Sequence, residues 1–305
     1  MPALPLQLAP EVQAALHERR AVVALESTLL AHGLPAERRP AAAAALSNAV
    51  RSQGAVPALV AIVEGRARVG LSELELERFL ASEPAKASLP DLAVALASGG
   101  HWATTVATTM ALASRAGVRA FATGGIGGVH REVLDTFDES SDLTALSRYP
   151  VLVVSAGAKA ILDLARTMER LETLGVPVIG WRTSELPAFY HGHSGIALRH
   201  RVGDAAAIAA IAAVRFDQLG EGGILLVQPP PAHLAQDPDR VEGLIRAVLA
   251  DAREREIRGA ALTPFLLAAL DRASAGSVVD TNLALVTENA RLAAEVAVAL
   301  SRARS

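Results

Sequence analysis

A lysine placed directly after a strand and a turn, Lys159 in VLVVSAGAKAILD, is the residue in this chain with the clearest reason to do covalent chemistry. Val151–Ser155 has the composition of a buried strand and Ala156–Gly157 that of a short turn, which predicts Lys159 in the first turn of the next helix. The positive end of a helix macrodipole and a desolvated pocket both disfavour an ammonium, so the expectation is an amine of lowered pKa. At a pKa near 10.4 only about 0.04% of an amine is neutral at pH 7, whereas a pKa near 7–8 frees roughly 10–50%. A neutral amine attacks carbonyl carbon. The competing reading is a lysine whose head runs out to solvent or pairs with an acid.

Three other segments carry polar groups at the ends of apolar runs, where α/β proteins build their sites. Glu26 closes AVVAL and begins ESTLLAHGLP, a carboxylate with two hydroxyls at a strand end; it reads as a proton-transfer group or as a solvated acid in a turn. FATGGIGGVHR brings four glycines and His130, so backbone N–H groups can approach an anion unobstructed, or the segment is simply a tight loop. Gly125 and Gly127 fit two positions of a dinucleotide fingerprint, but His130 occupies the third, and no GKS or GKT follows to make a P-loop. In TFDESSD, Asp138 and Asp142 enclose Ser140 and Ser141. One carboxylate with waters suits Mn or Mg beside a phosphate, and an acidic helix start capped by serine uses the same residues.

To position these groups the chain must alternate strands and helices. Plausible strands are Ala21–Leu25, Val56–Val63, Val118–Thr123, Val151–Ser155, Val176–Gly180 and Gly223–Val227, with helical segments between them. The expected fold is a three-layer α/β/α single domain, residues 1–305, with a mixed, mostly parallel central sheet. Glu64-Gly65 predicts a hairpin turn, and Ser72 with Glu75 a capping box opening a helix. After Asp204 the chain is strongly helical, interrupted by VQPPPAH and by ALTPFLL.

Composition limits the chemistry. The 305 residues are 51% hydrophobic but only 3% aromatic, so the core is built from small aliphatic side chains. A net charge of -3 without a Lys/Arg-rich run gives no global attraction for nucleic acid or anionic lipid, and any phosphate must be held locally. The absence of cysteine excludes disulfides, thiolate ligands and a cysteine nucleophile. No long apolar segment or signal-like N-terminus stands out, so the expected location is cytoplasmic, with neither membrane nor nucleic acid as partner.

Taken together and in order, ALESTLLAHGLP, GAVPALVAIVEGRARVGL, ATTVATTMALASRAGVRAFATGGIGGVHR, TFDESSDL, AGAKAILDLARTMERLETLGVPVIGW, LPAFY, TPFLL and DTNLALVTENARLAAEVA resemble the pseudouridine-5'-phosphate glycosidase family, which includes indigoidine-biosynthesis A-like proteins. The resemblance runs nearly the whole chain. It implies a nucleophile at Lys159, an acid/base carboxylate at Glu26 and a manganese (Mn2+) ligand at Asp138. It also implies substrate contacts from Lys86, the backbone around Val106, His130, Ser140, Ser141, Asp142 and Asn282, and a homotrimer. The implied reaction opens the ribose ring, adds an amine at C1', expels uracil from a lysine-bound sugar and releases ribose 5-phosphate.

The chain departs from the family pattern at four places. Ser141 replaces a usual Ala; Leu89 and Pro90 stand where arginines are typical; Gln228-Pro229-Pro230-Pro231 replaces an Asn-Pro-Ile-Pro loop; Ala260 replaces a lysine. The missing cations bear on phosphate affinity rather than on the covalent step. Two other functions fit parts of the pattern: a Schiff-base aldolase or isomerase on another sugar phosphate, and a catalytically silent sugar-phosphate-binding protein.

Overall fold

The computed structural model describes residues 6–257, 259, 262–274 and 277–303. Its strands are β1 (Leu6–Leu8), β2 (Val22–Glu26), β3 (Val56–Val63), β4 (Arg66–Val69), β5 (Ala85–Ala87), β6 (Trp102–Thr104), β7 (Ala120–Ala122), β8 (Leu152–Ser155), β9 (Val178–Trp181), β10 (His200–Val202) and β11 (Ile224–Val227). They form one sheet in the order β1-β4-β3-β2-β7-β8-β11-β9-β10, with β6 branching from β3 and β5 from β6. The run from β3 through β10 is parallel; β4 and β6 pair antiparallel with β3. The sheet is therefore mixed and mostly parallel with helices on both sides.

All six predicted strands form, each within two residues of its expected ends. Their sequences read as continuous apolar runs because both faces are covered. Val23 and Ala24 of β2 and Leu152, Val153 and Val154 of β8 have no exposed surface. Helix Ser277–Ala303 packs on β2, β7 and β8, and helix Val106–Ala116 also packs on β2. Each fully buried Val, Leu or Ile contributes roughly 1.5–3 kcal/mol. Glu64 and Gly65, both at positive φ, make the two-residue turn between β3 and β4. Ser72 and Glu75 form the reciprocal capping box of helix Glu73–Ala81. Strands β5 (AKA), β6 (WAT) and β10 (HRV) escape sequence reading because three mixed-polarity residues show no period.

One expectation fails. Lys159 is not on a helix: the next helix begins at Leu164, where the Asp163 side chain caps Arg166 N–H. Residues 156–163 instead lie along the glycine-rich loop. Ala156 N–H donates to the Gly124 carbonyl, Lys159 N–H to that of Ile126 and Asp163 N–H to that of Val129. Loop-to-loop pairing satisfies backbone groups that a helix would have satisfied internally, and the macrodipole argument for Lys159 falls with it. Among the described residues no helix is long and apolar enough to cross a membrane.

Candidate active site

The carboxyl ends of β2, β7 and β8 open onto one cavity of about 590 Å³. All ten residues singled out from the sequence line it: Glu26, Lys86, Val106, His130, Asp138, Ser140, Ser141, Asp142, Lys159 and Asn282. Topology explains the convergence. Glu26 ends β2, the glycine-rich loop and His130 follow its neighbour β7, and Lys159 follows β8 beside β7. Antiparallel pairing of β6 with β3 brings Thr104, at the exit of β6, back to the level of Glu26, and the parallel partner β5 carries Lys86 alongside.

Glu26 is held by two hydroxyls, one of the pair that follows it in EST and one from a distant strand end. Thr123, directly after β7, donates to Oε1, and Thr28 contacts Oε2. The Thr28 oxygen also lies 2.8 Å from the Thr104 carbonyl. Such partners fix a carboxylate rotamer and aim it into the cavity.

Lys86 and Lys159 are electrostatic neighbours. Burial, and then the charge of Lys159, holds Lys86 below the ordinary lysine value of 10.5, while Asp142, Glu26 and Asp91 act in the opposite direction. The ammonium therefore carries a desolvation cost that disappears as pH rises from this depressed value towards 10.5. An anion bound by Lys86 should accordingly weaken as pH rises through that depressed value, earlier than with an exposed lysine. Titrating ribose 5-phosphate affinity between about pH 7 and 9.5 should show this fall and Lys86→Met should flatten it; parallel profiles would take Lys86 out of anion binding.

The glycine loop is glycine for want of space. A Cβ on Gly125 would lie 2.5 Å from the Phe189 ring, and one on Gly127 would lie 2.2 Å from Ser140 Oγ. Asp142, only 4% exposed, latches this loop: Oδ2 accepts from Gly127 N–H at 2.7 Å and Oδ1 from Ala107 N–H at 2.9 Å. It thus caps helix Val106–Ala116 from outside, where a carboxylate is favoured. Losing Asp142 would leave two amides without a partner, at about 1–3 kcal/mol each for a buried group. Ser140 caps helix Ser141–Arg148 by accepting from Asp142 N–H, so the capped helix start read from TFDESSD is present.

His130 Nε2 lies 3.9 Å from Asp138 Oδ2, beyond hydrogen-bond reach. Burial holds the imidazole below its ordinary value, against the pull of Asp138 and with the help of Lys159. Among the described residues no three His, Cys, Asp or Glu side chains converge as a metal cage. Asp138 alone, part-exposed in the cavity wall, fits a hard cation that takes its remaining ligands from water and phosphate.

Asn282 sits inside helix Ser277–Ala303 rather than capping it, and a Cβ on Gly124 would lie 2.9 Å from its Oδ1. Ser141 hydrogen-bonds Ser88 across the cavity wall at 2.9 Å, tying the exit of β5 to helix Ser141–Arg148. Leu89, Pro90 and Asp91 form a short turn on that wall, closed by Ser88 N–H to Asp91. Gln228 lies off the cavity and binds Asn289, which donates to the Thr123 carbonyl; this departure supports the floor of the site. Ala260 lies outside the described residues. Sequence reasoning noted Thr28 only as a hydroxyl beside a strand-end carboxylate, a pattern that turns share, and missed Thr123, Ser88 and His32 in this wall.

An open α/β sheet whose strand ends gather a carboxylate, two amines and a glycine loop around one cavity defines a protein built to hold a small anionic molecule. The chain belongs to the indigoidine synthase A like protein family, whose model matches residues 11–299. A pseudouridine-5'-phosphate glycosidase of Herpetosiphon aurantiacus is 51% identical, covering 97% of this chain and 98% of the relative. One of Myxococcus xanthus is 48% identical, covering 98% and 99%. Among solved structures, the prealnumycin C-glycosynthase AlnA in complex with ribulose 5-phosphate superposes with a TM-score of 0.91, at 41% identity over 99% of both chains. An indigoidine synthase A-like protein of Thermotoga maritima gives 0.90 at 32% identity, over 98% of this chain and 97% of its own.

Proposed function

We infer that this chain cleaves the carbon–carbon glycosidic bond of pseudouridine 5'-phosphate, reversibly, giving uracil and ribose 5-phosphate. The observation that carries the reading is the meeting of Glu26, Lys86 and Lys159 in one cavity. The names of the curated relatives and a C-glycosynthase neighbour complexed with a pentose phosphate support it.

A carbon leaving group has no lone pair to protonate, so two carboxylates alone do not suffice. The Lys159 amine forms a bond to C1' as the C1'–O4' bond breaks, and Glu26 delivers the proton that O4' takes up. Glu26 then accepts a proton from the new ammonium. The freed nitrogen lone pair forms C1'=N as the bond to uracil C5 breaks and C5 takes the proton that Glu26 has just accepted. Water adds to the iminium, the proton released goes back to Glu26, and Lys159 is freed with ribose 5-phosphate. Lys86 meets the phosphate as a point charge, and the neutral His130 with Asn282 faces the base or the opened sugar.

Asp138 would hold manganese, which supplies positive charge beside the phosphate when bound. The whole chain works as a single catalytic domain in the cytoplasm, where phosphorylated pentoses are retained. Leu134 and Phe137, 75% and 85% exposed beside Asp138, leave an apolar edge that suits a homotrimer.

Incubation with pseudouridine 5'-phosphate and Mn2+ should release uracil and ribose 5-phosphate in equal amounts. Chelation or Asp138→Asn should lower turnover, with added Mn2+ restoring only the chelated wild type. Ligand binding without uracil release would favour a silent binder, and cleavage of another sugar phosphate an aldolase.

A further inference from the structure

Thr28 has one hydroxyl proton and two acceptors within reach, the Glu26 carboxylate and the Thr104 carbonyl. A carbonyl cannot donate, whereas a carboxyl group does so when protonated. Two arrangements satisfy these atoms. With Glu26 ionised, Thr28 donates to it. With Glu26 protonated, Glu26 donates to Thr28, and Thr28 turns its own proton to Thr104.

The second acceptor is fixed. Thr104 N–H donates to Ser27 Oγ at 2.8 Å, its hydroxyl donates to the Val60 carbonyl at 2.7 Å, and Thr109 donates to that hydroxyl at 2.9 Å. Ser27, Thr104 and Thr109 are fully buried. On the other side of the carboxylate, Thr123 contacts Oε1, and its backbone carbonyl is pinned by Asn289.

We propose that Thr28 is a positioning residue for Glu26, a hydroxyl that turns between the carboxylate and the Thr104 carbonyl so that both protonation states of the acid keep a hydrogen bond. The proposal rests on the acid/base role given to Glu26 above. In that role Glu26 gives up and regains a proton within each turnover, and a fixed one-way donor would favour only the ionised state. Reorienting one O–H costs no movement of heavy atoms.

The test compares Thr28→Val, which keeps the shape without the hydroxyl, with Thr28→Ser, which keeps the hydroxyl. In Thr28→Val, kcat for uracil release should fall about 10- to 100-fold, the effect of losing one hydrogen bond to a charged group. KM should stay within about twofold, and Thr28→Ser should recover kcat to within about threefold of wild type. The final yield of borohydride-trapped ribose 5-phosphate should be unchanged in Thr28→Val, because this sugar opens in water without help. If Thr28→Val does not fold, Thr28→Ala is read by the same criteria.

A Thr28→Val enzyme with near-wild-type kcat, or a Thr28→Ser enzyme equally impaired, overturns the proposal. So does a parallel loss of trapping or a parallel rise in KM, which would mean general damage to the cavity. If wild type neither releases uracil nor traps ribose 5-phosphate, the parent reading fails instead.

Discussion

Lys159→Ala should remove turnover of pseudouridine 5'-phosphate by about 10⁴-fold or more, the scale seen when the nucleophile of a covalent mechanism is deleted. Lys159 lies in a loop whose register is set by its backbone N–H and that of Asp163, and neither bond depends on the side chain. The fold should therefore persist, with circular dichroism and melting temperature near wild type. Borohydride reduction with ribose 5-phosphate should add one reduced pentose to the wild type, at the peptide containing Lys159, and none to the variant. An adduct on Lys86 instead would exchange the roles of the two neighbouring amines. Retention of more than about 1% of turnover would remove covalent catalysis from this position.

Glu26→Ala should lower kcat by about 10²–10⁴-fold, the usual range for a general acid/base. Its carboxylate makes no ion pair closer than 4 Å among the described contacts, and its partners are the hydroxyls of Thr28 and Thr123. Truncation leaves two hydroxyls beside a cavity that water enters, so the stability change should be small. Glu26→Gln keeps those partners but cannot cycle a proton, so it should be about as slow as Glu26→Ala. A Gln variant with near-wild-type turnover would show that Glu26 acts as a hydrogen-bonding group only. Trapping of ribose 5-phosphate in either variant would separate loss of proton transfer from loss of Lys159 reactivity.

The six apolar strands were legible because a strand buried on both faces must be apolar throughout, and four or more such residues bounded by Gly or Pro leave few alternatives. The edge strands were not. In β5 the cavity-lining Lys86 sits between two alanines, and its strand character comes from pairing with β6, across the intervening helix Leu92–Ser98. Lys159 shows the same limit from the other side. Its helix was read from local pattern, but Gly157 at φ +86° and pairing with residues 124–129 hold the segment in a loop, with a turn in which Leu162 N–H donates to the Lys159 carbonyl, until Asp163 caps the helix. Local propensity is a weak prior wherever a second loop offers the backbone its hydrogen bonds.

The sequence by itself determined the sheet's core strands, the hairpin, the capping box and the kinds of group available for chemistry, because composition and short-range period are properties of a single segment. Only the tertiary structure decided that those groups share one cavity, that Asp142 spends its carboxylate on two backbone amides, and that Thr28 and Thr123 hold Glu26. The physical reason is separation along the chain. Glu26 and Thr123 meet only because β2 pairs with β7, and hydrogen bonds across such distances leave no periodic trace in the residues that make them.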